Sequence, residues 1–180
     1  IIKDSNSLRT RMGSRAIIDF LHIQCELPIG PKDNARIPKI ILESPKKFQC
    51  AFLRGLADTD MSLVFKNRHK DINYYPVIDY STKSKYLFLD ILKMLEGMGY
   101  PIHFGFKKSM RYGKTQPHHL HYFQINGVNS LEKWMSEIGF SSHNQLTKYT
   151  VWKKFGHLPP KTNINDRMKM IENKGPLLAP

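Results

Sequence analysis

The sequence predicts an α+β fold with one antiparallel sheet of about four strands, and two observations predict it. First, the apolar residues recur about every 3.6 positions in some segments, as in helices, and every second position in others, as in half-buried strands. Second, these segments follow one another in the order helix, hairpin, helix, hairpin, helix, helix. Because a hairpin joins neighbouring antiparallel strands, the two hairpins predict a single sheet with helices over one face.

Two helices are predicted in the first third of the chain. Residues 14–23 carry apolar side chains at helical spacing, and Pro28 then ends that pattern. The second helix begins at Ser44 and Pro45, with the serine as N-cap and the proline in the first turn. Its apolar residues follow the i, i+3, i+4 rule, which predicts a helix over 45–59.

The strands and the later helices follow from the same two periods. Alternation of apolar and polar residues predicts the four strands at 61–66, 73–80, 102–107 and 120–125. Helical spacing bounded by caps and glycines predicts further helices at 83–98, 131–138 and 142–155. The range 161–180 is expected to form a short helix and a loose tail.

The net charge of the chain predicts a polyanionic partner, most often a nucleic acid. Lysine and arginine number 28, and aspartate and glutamate number 15, which gives +13 at pH 7. Between Glu96 and Glu132 the chain has no carboxylate, although four lysines or arginines and four histidines occur there. Solvated surfaces normally mix both signs, so this stretch favours contacts with phosphates.

Other features argue against several classes of protein. Neither a run of 18 apolar residues nor a charged and then apolar opening occurs, which disfavours a membrane span and a signal peptide. Two cysteines, Cys25 and Cys50, are too few for a disulfide scaffold or a four-cysteine zinc site. The sequence therefore favours a cytoplasmic protein without a membrane partner.

The most informative segment is 52–63, where a predicted helix is followed at once by a predicted strand. Asp58 and Asp60 lie at the junction, against the negative end of the helix dipole, where a carboxylate costs about 0.3–1 kcal/mol. Such a conflict with local stability often marks a functional site. A simple capping turn is the other interpretation of these two residues.

Two small residues of the same helix, Ala51 and Gly55, lie one turn apart and leave a notch in its surface. A glycine inside a helix costs roughly 1 kcal/mol relative to alanine. The close approach of a second helix backbone would account for this glycine, so the notch predicts a helix–helix contact.

Several parts of the chain resemble one known family. The dodecapeptide motif of the LAGLIDADG homing endonucleases, of the archaeal type, is similar to the run Phe52-Leu53-Arg54-Gly55-Leu56-Ala57-Asp58-Thr59-Asp60. The family's lead-in and closing helices resemble the segments 36–41, 137–140 and 146–148. The resemblance covers residues 14–160. It implies the family's αββαββα repeat, in which helices cover one face of a saddle-like, four-stranded antiparallel sheet.

The resemblance also implies a function. It implies a site-specific endonuclease that cleaves double-stranded DNA with Mg²⁺ or Mn²⁺ and without an organic cofactor. Asp60 is the implied catalytic residue and metal ligand, and Asp58 is expected to support the turn. Two motif helices, each with one carboxylate, are expected to pack through Ala51, Gly55 and Thr59.

The chain holds one full motif, so the second has to come from a homodimer mate or from an upstream repeat of the same protein. Residues 1–43 are interpreted as the end of a preceding repeat and a linker, because 18–32 is similar to 131–145. Residues 44–160 are then the LAGLIDADG repeat, and 161–180 a C-terminal tail.

Basic and aromatic residues of the two hairpins are the candidate DNA contacts. They are Lys66, Arg68, Lys70, Tyr74, Lys107, Lys108, Arg111, Lys114, His119 and His121. Alternation puts His119 and His121 on one face of their strand, where a zinc site is the weaker interpretation because neither cysteine is near. Packing within the sheet is an equal alternative for Tyr74.

Two positions depart from the family pattern. Met61 follows the implied catalytic acid where glycine is usual, and its side chain is expected to crowd the metal or to deny a required backbone angle. Many members of the family have a lysine near the end of the fourth strand that helps to activate water. Gln124 and Asn126 occupy that neighbourhood here, so Lys107 and Lys148 become candidates for this role. A cleavage-inactive DNA-binding regulator, or an RNA-binding, maturase-like protein whose partner is structured RNA, therefore stays open. A generic basic nucleic-acid-binding domain is a third interpretation.

Overall fold

The computed structural model describes residues 2–4, 7–9, 13–30, 32–109 and 118–173. The strands in these ranges are β1 (Ile2–Asp4), β2 (Ser7–Arg9), β3 (Met61–Lys66), β4 (Tyr75–Thr82), β5 (Ile102–Ser109) and β6 (His118–Asn126). The α-helices are α1 (Arg15–Asp19), α2 (Lys39–Leu42), α3 (Lys46–Asp60), α4 (Lys85–Gly97), α5 (Val128–Glu137), α6 (His143–Phe155) and α7 (Ile164–Glu172). A π-helical turn, Phe20–Gln24, follows α1, and a 3₁₀ turn, Lys32–Asn34, precedes α2.

Strands β3 to β6 form one antiparallel sheet in the order β3–β4–β6–β5. The predicted α+β class and the predicted four-stranded sheet are therefore confirmed, with strand ends that differ from the prediction by at most two residues. Strands β1 and β2 form a separate hairpin that the sequence does not predict. Strands of three residues are too short to show an alternating pattern.

The two faces of this sheet differ in what covers them. Met61, Tyr80 and Phe123 are aligned across three strands on one face, and all three are buried beneath the helices. Because side chains alternate along a strand, their neighbours point to the opposite side. On this outer face Val77 is fully buried. Its polar and aromatic residues are half-buried or exposed, namely Ser62, Lys66, Asp79, His103, Lys107, Tyr122 and Gln124.

Helix α3 is the predicted motif helix, but it starts differently from the prediction. The Ser44 hydroxyl donates a 2.7 Å hydrogen bond to the carbonyl oxygen of Ile41, and Pro45 is the N-cap residue. The prediction of Ser44 as N-cap is wrong because α2 ends just before it and leaves carbonyl groups that need a donor. At its other end α3 continues through Asp60, one residue beyond the prediction.

The segment before α3 has an exposed part and a fixed part. Apolar side chains of α1 and the π-helical turn are largely exposed, with Phe20 at 57% and Ile23 at 66%. Further along, the Arg36 guanidinium donates hydrogen bonds of 2.9 and 3.2 Å to the carboxylate of Asp90 in α4. The linker into α3 is therefore held against α4.

The C-terminal helix α7 packs against α6 through Arg167, whose side chain is 3% exposed. Its guanidinium donates to Thr147 Oγ1 at 3.0 Å and to Asn144 Oδ1 at 2.6 Å. Helix α7 is therefore the short helix expected within 161–180, and residues 174–180 lie outside the described residues. Within the described residues, none of the helices is both long and apolar enough to span a membrane.

Candidate metal and nucleic-acid site

Helix α3 has one side that is packed against the rest of the chain. Leu53 and Ala57 on this side are fully buried. Arg54 Nε donates a 2.6 Å hydrogen bond to the carbonyl oxygen of Ile138, the C-cap of α5. Such carbonyl groups lack partners within their own helix, so the arginine satisfies one of them. These contacts fix the direction of α3 relative to α5.

The opposite side of α3 is exposed. It carries Ala51, Gly55 and Thr59, the three residues predicted for a helix–helix contact, together with Phe48. A Cβ atom added at Gly55 would meet no atom of the described residues within 4 Å. Because residues three and four positions apart share a helix side, the structure brings these residues into one exposed row.

The carboxylate of Asp58 is held by the backbone at the start of α6. Its Oδ1 accepts hydrogen bonds from the backbone nitrogens of Ser141 at 2.9 Å and Ser142 at 2.8 Å, and Oδ2 accepts from Ser141 at 3.1 Å. Ser142 is the N-cap of α6, so this carboxylate lies at the positive end of that helix dipole. The contact compensates the cost of an acid at the end of α3 and is compatible with the supporting role expected for Asp58.

The carboxylate of Asp60, the last residue of α3, is exposed. Among the described residues it accepts one hydrogen bond, from Thr59 Oγ1 to Oδ2 at 3.1 Å. Burial raises the pKa of Tyr80, which pairs with Met61 across the sheet, to about 12, and the nearby charge of Asp60 adds to this rise. Asp60 therefore offers carboxylate oxygens beside the sheet, and hard cations such as Mg²⁺ prefer oxygen ligands of this kind.

Met61 does not obstruct Asp60. Its backbone is extended, with φ −100° and ψ 159°, which any residue adopts. Its side chain is 3% exposed and packs in the core on the helix-covered face. The expectation about a required backbone angle stays a prediction, whereas the expectation that a side chain here crowds the metal is wrong. The reason is that α3 passes directly into a strand, whose alternation turns this side chain inward.

A polar network crosses the outer face of the sheet. Lys66 Nζ lies 3.4 Å from Gln124 Oε1, and Gln124 Nε2 donates a 2.8 Å hydrogen bond to Asp79 Oδ1. The three residues belong to β3, β6 and β4, and Asp79 is directly opposite Ser62. Gln124 is one of the two residues, with Asn126, for which the sequence left the place of the family's lysine open, and the network brings the ammonium group of Lys66 to it.

Lys107 lies on the same outer face as Lys66. Its ammonium group is 5.4 Å from the ring centre of Tyr122 on β6. Both lysine side chains are exposed. The outer face therefore combines two cations with amide and hydroxyl groups, a composition suited to phosphate contacts.

His119 and His121 lie on the other face of the sheet. Both are separated from Phe123 by an even number of residues along β6, so their side chains lie on the same face as that of Phe123, which is buried in the core. The ring of His121 is 5.2 Å from that of Phe88 in α4, and burial lowers its pKa, with a further contribution from the charge of Lys85. The two histidines are thus separated from Lys66 and Lys107.

The predicted contacts in and after the β3–β4 loop stack on tyrosines. The Arg68 guanidinium is 3.9 Å from the ring centre of Tyr75, and the Lys70 ammonium is 5.5 Å from that of Tyr74. The Tyr74 carbonyl accepts a 2.8 Å hydrogen bond from Trp152 Nε1, which ties the loop to α6. Arg68 and Lys70 are exposed at this end of the sheet.

The remaining predicted contacts belong to the β5–β6 hairpin. Lys108 lies in β5, opposite His119 in the strand register. Arg111 and Lys114 lie outside the described residues.

Lys148 is bound to the backbone of β3. Its Nζ donates a 3.0 Å hydrogen bond to the carbonyl oxygen of Leu63. Burial lowers the pKa of its ammonium group, and the charge of Arg167 lowers it further. Of Lys107 and Lys148, the two candidates for the family's water-activating lysine, Lys148 is therefore held by a structural contact.

Sequence reasoning missed the roles of Asp79 and Gln145. Asp79 carries a signal in the sequence, since alternation puts it on the outer face, but its partner Gln124 follows only from the strand register. Gln145 lies in a helix predicted for its packing and hydrogen-bonds to β3 across 82 positions of the chain. A single sequence without strand register gives no sign of that contact.

The residues fit part of a paired metal site. In the described part of the chain, no three His, Cys, Asp or Glu side chains come together as a metal-binding group. Asp60 alone supplies one carboxylate, and Mg²⁺ commonly uses one or two carboxylates together with water and substrate phosphates.

In comparison with known proteins, no family model and no curated protein matches the chain significantly.

Proposed function

We propose that this protein is a metal-dependent, site-specific endonuclease of the LAGLIDADG type that acts on double-stranded DNA. The observation that carries the proposal is the position of Asp60. Asp60 is an exposed carboxylate at the end of the exposed side of α3. Ser62, two residues further along the chain, lies on the outer face of the sheet that also carries Lys66 and Lys107. A carboxylate beside a cationic surface suits a metal ion and the phosphate that it activates.

The chain's own residues would divide the chemistry among them. A divalent cation at Asp60 would supply a water of lowered pKa and stabilise negative charge on the phosphate. The single hydroxyl proton of Thr59 is shared among Oδ2 of Asp60 and the carbonyl oxygens of Gly55 and Leu56, so the carboxylate of Asp60 stays free to bind a ligand. Lys66 and Lys107 would neutralise backbone phosphates, and Lys107 stays the candidate for the lysine that helps to activate water, because Lys148 is bound to the backbone of β3.

The second carboxylate would come from a second copy of α3. The row Ala51, Gly55 and Thr59 is exposed and small, so two helix backbones can approach closely along it. Each α3 would then place its Asp60 next to that of the other helix. Either a second chain or an upstream repeat of the same protein satisfies this arrangement.

The binding-only alternatives, a DNA-binding regulator and an RNA-binding protein, rested on Met61 and on the absence of the family's lysine at Gln124 and Asn126. The extended backbone and inward side chain of Met61 leave Asp60 accessible, so Met61 no longer favours them. The enzyme is therefore the proposal that we develop.

The test is a cleavage assay of the complete protein on DNA from its own genomic locus, with Mg²⁺ or Mn²⁺. We expect double-strand breaks at one site that require the metal. A wild-type protein that binds this DNA without cutting it would contradict the enzyme proposal and favour a DNA-binding regulator. Tight binding to structured RNA instead would favour the maturase-like alternative.

A further inference from the structure

The side chain of Gln145 in α6 is 5% exposed and forms two hydrogen bonds with the backbone of β3. Its Nε2 donates to the carbonyl oxygen of Met61 at 3.2 Å, and its Oε1 accepts from the backbone nitrogen of Leu63 at 3.1 Å. Lys148, almost one turn further along α6, donates to the Leu63 carbonyl. Both groups of Leu63 on this side of the strand are thereby satisfied.

The contact replaces a neighbouring strand. Strand β3 is at the edge of the sheet, and buried N–H and C=O groups at an edge need partners. A carboxamide carries a donor and an acceptor side by side, as the peptide group of an adjacent strand does. Gln145 therefore pairs with β3 as one residue of a fifth strand would.

The contacts made by α6 lie on both sides of Asp60. Asp58, two residues before it, is bound by the backbone at the start of α6, and the two residues bound by Gln145 follow it. Because α3 passes into β3 without a loop, the direction of the Asp60 side chain depends on the angle between helix and strand. Helix α6 binds to both elements and so fixes this angle.

We propose that Gln145 is a positioning residue for Asp60. Its carboxamide fixes the first residues of β3 and thereby holds the Asp60 carboxylate in the place where it can bind a metal ion. The metal-binding part rests on the proposed function, whereas the placement of the carboxylate does not.

The test compares two methionine variants of glutamines that bind backbone groups beside α3. Gln145→Met removes both bonds to β3 and keeps the length of the side chain. Gln49→Met is the matched control, because Gln49 Nε2 donates to the carbonyl oxygens of Leu42 and Ser44 at the opposite end of α3. Both variants lose bonds to the backbone, but only the first loses them beside Asp60.

The first readout is the cleavage kinetics of the complete protein on its DNA, with Mn²⁺ as the metal. For Gln145→Met we expect kcat to fall and the Mn²⁺ concentration for half-maximal rate to rise, each by about 10–100-fold, with KM for DNA unchanged. Gln49→Met is expected to leave all three close to wild type. Equal losses in both variants, or a change confined to KM, would overturn the positioning role.

The second readout does not depend on cleavage. Carbon-13 NMR of the Asp60 carboxyl group and the amide exchange rate of Leu63 are measured at a temperature where both variants are folded. Gln145→Met is expected to shift the Asp60 signal and to speed exchange at Leu63, and Gln49→Met to change neither. An unshifted Asp60 signal in Gln145→Met overturns the proposal even if the enzyme is active.

Two further cases keep the test decisive. If Gln145→Met does not fold, Gln145→Asn gives the same comparison, because it keeps the donor and the acceptor but draws both back from β3 by one methylene group. We expect it to lie between wild type and the methionine variant. If the wild-type protein cleaves no DNA, the proposed function fails, and the NMR comparison still decides whether Gln145 places Asp60.

Discussion

Asp58 and Asp60 are two residues apart at the end of one helix, but their surroundings are opposite. Asp58 accepts three hydrogen bonds from the backbone at the start of α6, whereas Asp60 is exposed and accepts one from the neighbouring Thr59. The two sides of α3 differ in the same way, since Ala57 is fully buried and Gly55 is exposed. The cost of an acid at a helix end is thus compensated on the packed side and left uncompensated on the exposed side, where a ligand can use it.

Asp60→Asn is expected to give the largest effect. It removes the charge that would hold the metal and keeps nearly the same shape, so cleavage should fall by several orders of magnitude. Binding of DNA without metal should stay the same or tighten, because one repulsion of phosphate is lost. Cleavage rates and gel shifts with the complete protein measure both. Loss of folding in this variant would show that the exposed acid also has a structural role and would break the contrast with Asp58.

Asp58→Ala is expected to act on stability. The variant leaves the backbone nitrogens of Ser141 and Ser142 without their acceptor, and hydrogen bonds to a charged group contribute about 1.5–3 kcal/mol to stability. The free energy of unfolding, from urea titration, should fall by an amount in that range. Asp60→Ala is the matched control and should raise it slightly, by about 0.3–1 kcal/mol, because the uncompensated acid at the helix end is removed. Equal effects of the two substitutions would contradict the assignment of one acid to structure and the other to a ligand.

The two faces of the sheet should differ in their response to salt. Each lysine that neutralises a phosphate of duplex DNA adds about 0.9 to the slope of log affinity against log salt, so removing Lys66 and Lys107 should flatten it by about 1.8. Removing Lys107, Arg111 and Lys114 together should flatten it by roughly 2.7. Lys108 pairs with His119 in the strand register, away from the outer face, so Lys108→Ala is the control and should leave the slope unchanged. A slope that falls by about 0.9 in this control would place DNA on the other face.

Gly55→Ala should give the smallest effect and one of opposite sign. The added methyl group meets no described atom, and alanine favours a helix over glycine by roughly 0.8–1 kcal/mol, so the single chain should become more stable. Gly55→Leu should leave the single chain folded and prevent pairing of α3 by steric block. Thermal unfolding and sedimentation measure the two effects. A dimer that persists in Gly55→Leu would show that another surface pairs.

The elements of the fold could be predicted from the sequence wherever one local pattern decided the structure. The boundary between α3 and β3 was predicted within one residue, because the hydrophobic period changes abruptly there. Sequence reasoning failed at Ser44, since a neighbouring helix end competed for its hydroxyl, and at Met61, whose side chain was expected to crowd the metal although the alternation of β3 turns it inward.

The candidate site could be predicted from the sequence only in part. The position of Asp60 at the end of a helix follows from local periodicity, but the partners of Asp58 lie more than 80 positions away and depend on how α6 packs. His119 and His121 share a face, as alternation predicts, but only the register with β4 and β5 shows that this face is the covered one. Long-range pairing is the information that a single sequence lacks.

The long sequence separation of the α6 contacts has a consequence for synthesis. Asp58 and Ser141 are 83 positions apart, and Leu63 and Gln145 are 82 positions apart. At a translation rate of roughly 5–20 residues per second, α6 leaves the ribosome about 4–16 s after the end of α3. During this interval the nascent chain contains α3 but not the contacts from α6 on either side of Asp60. The proposed nuclease activity is therefore expected on polysomes only after α6 has left the ribosome.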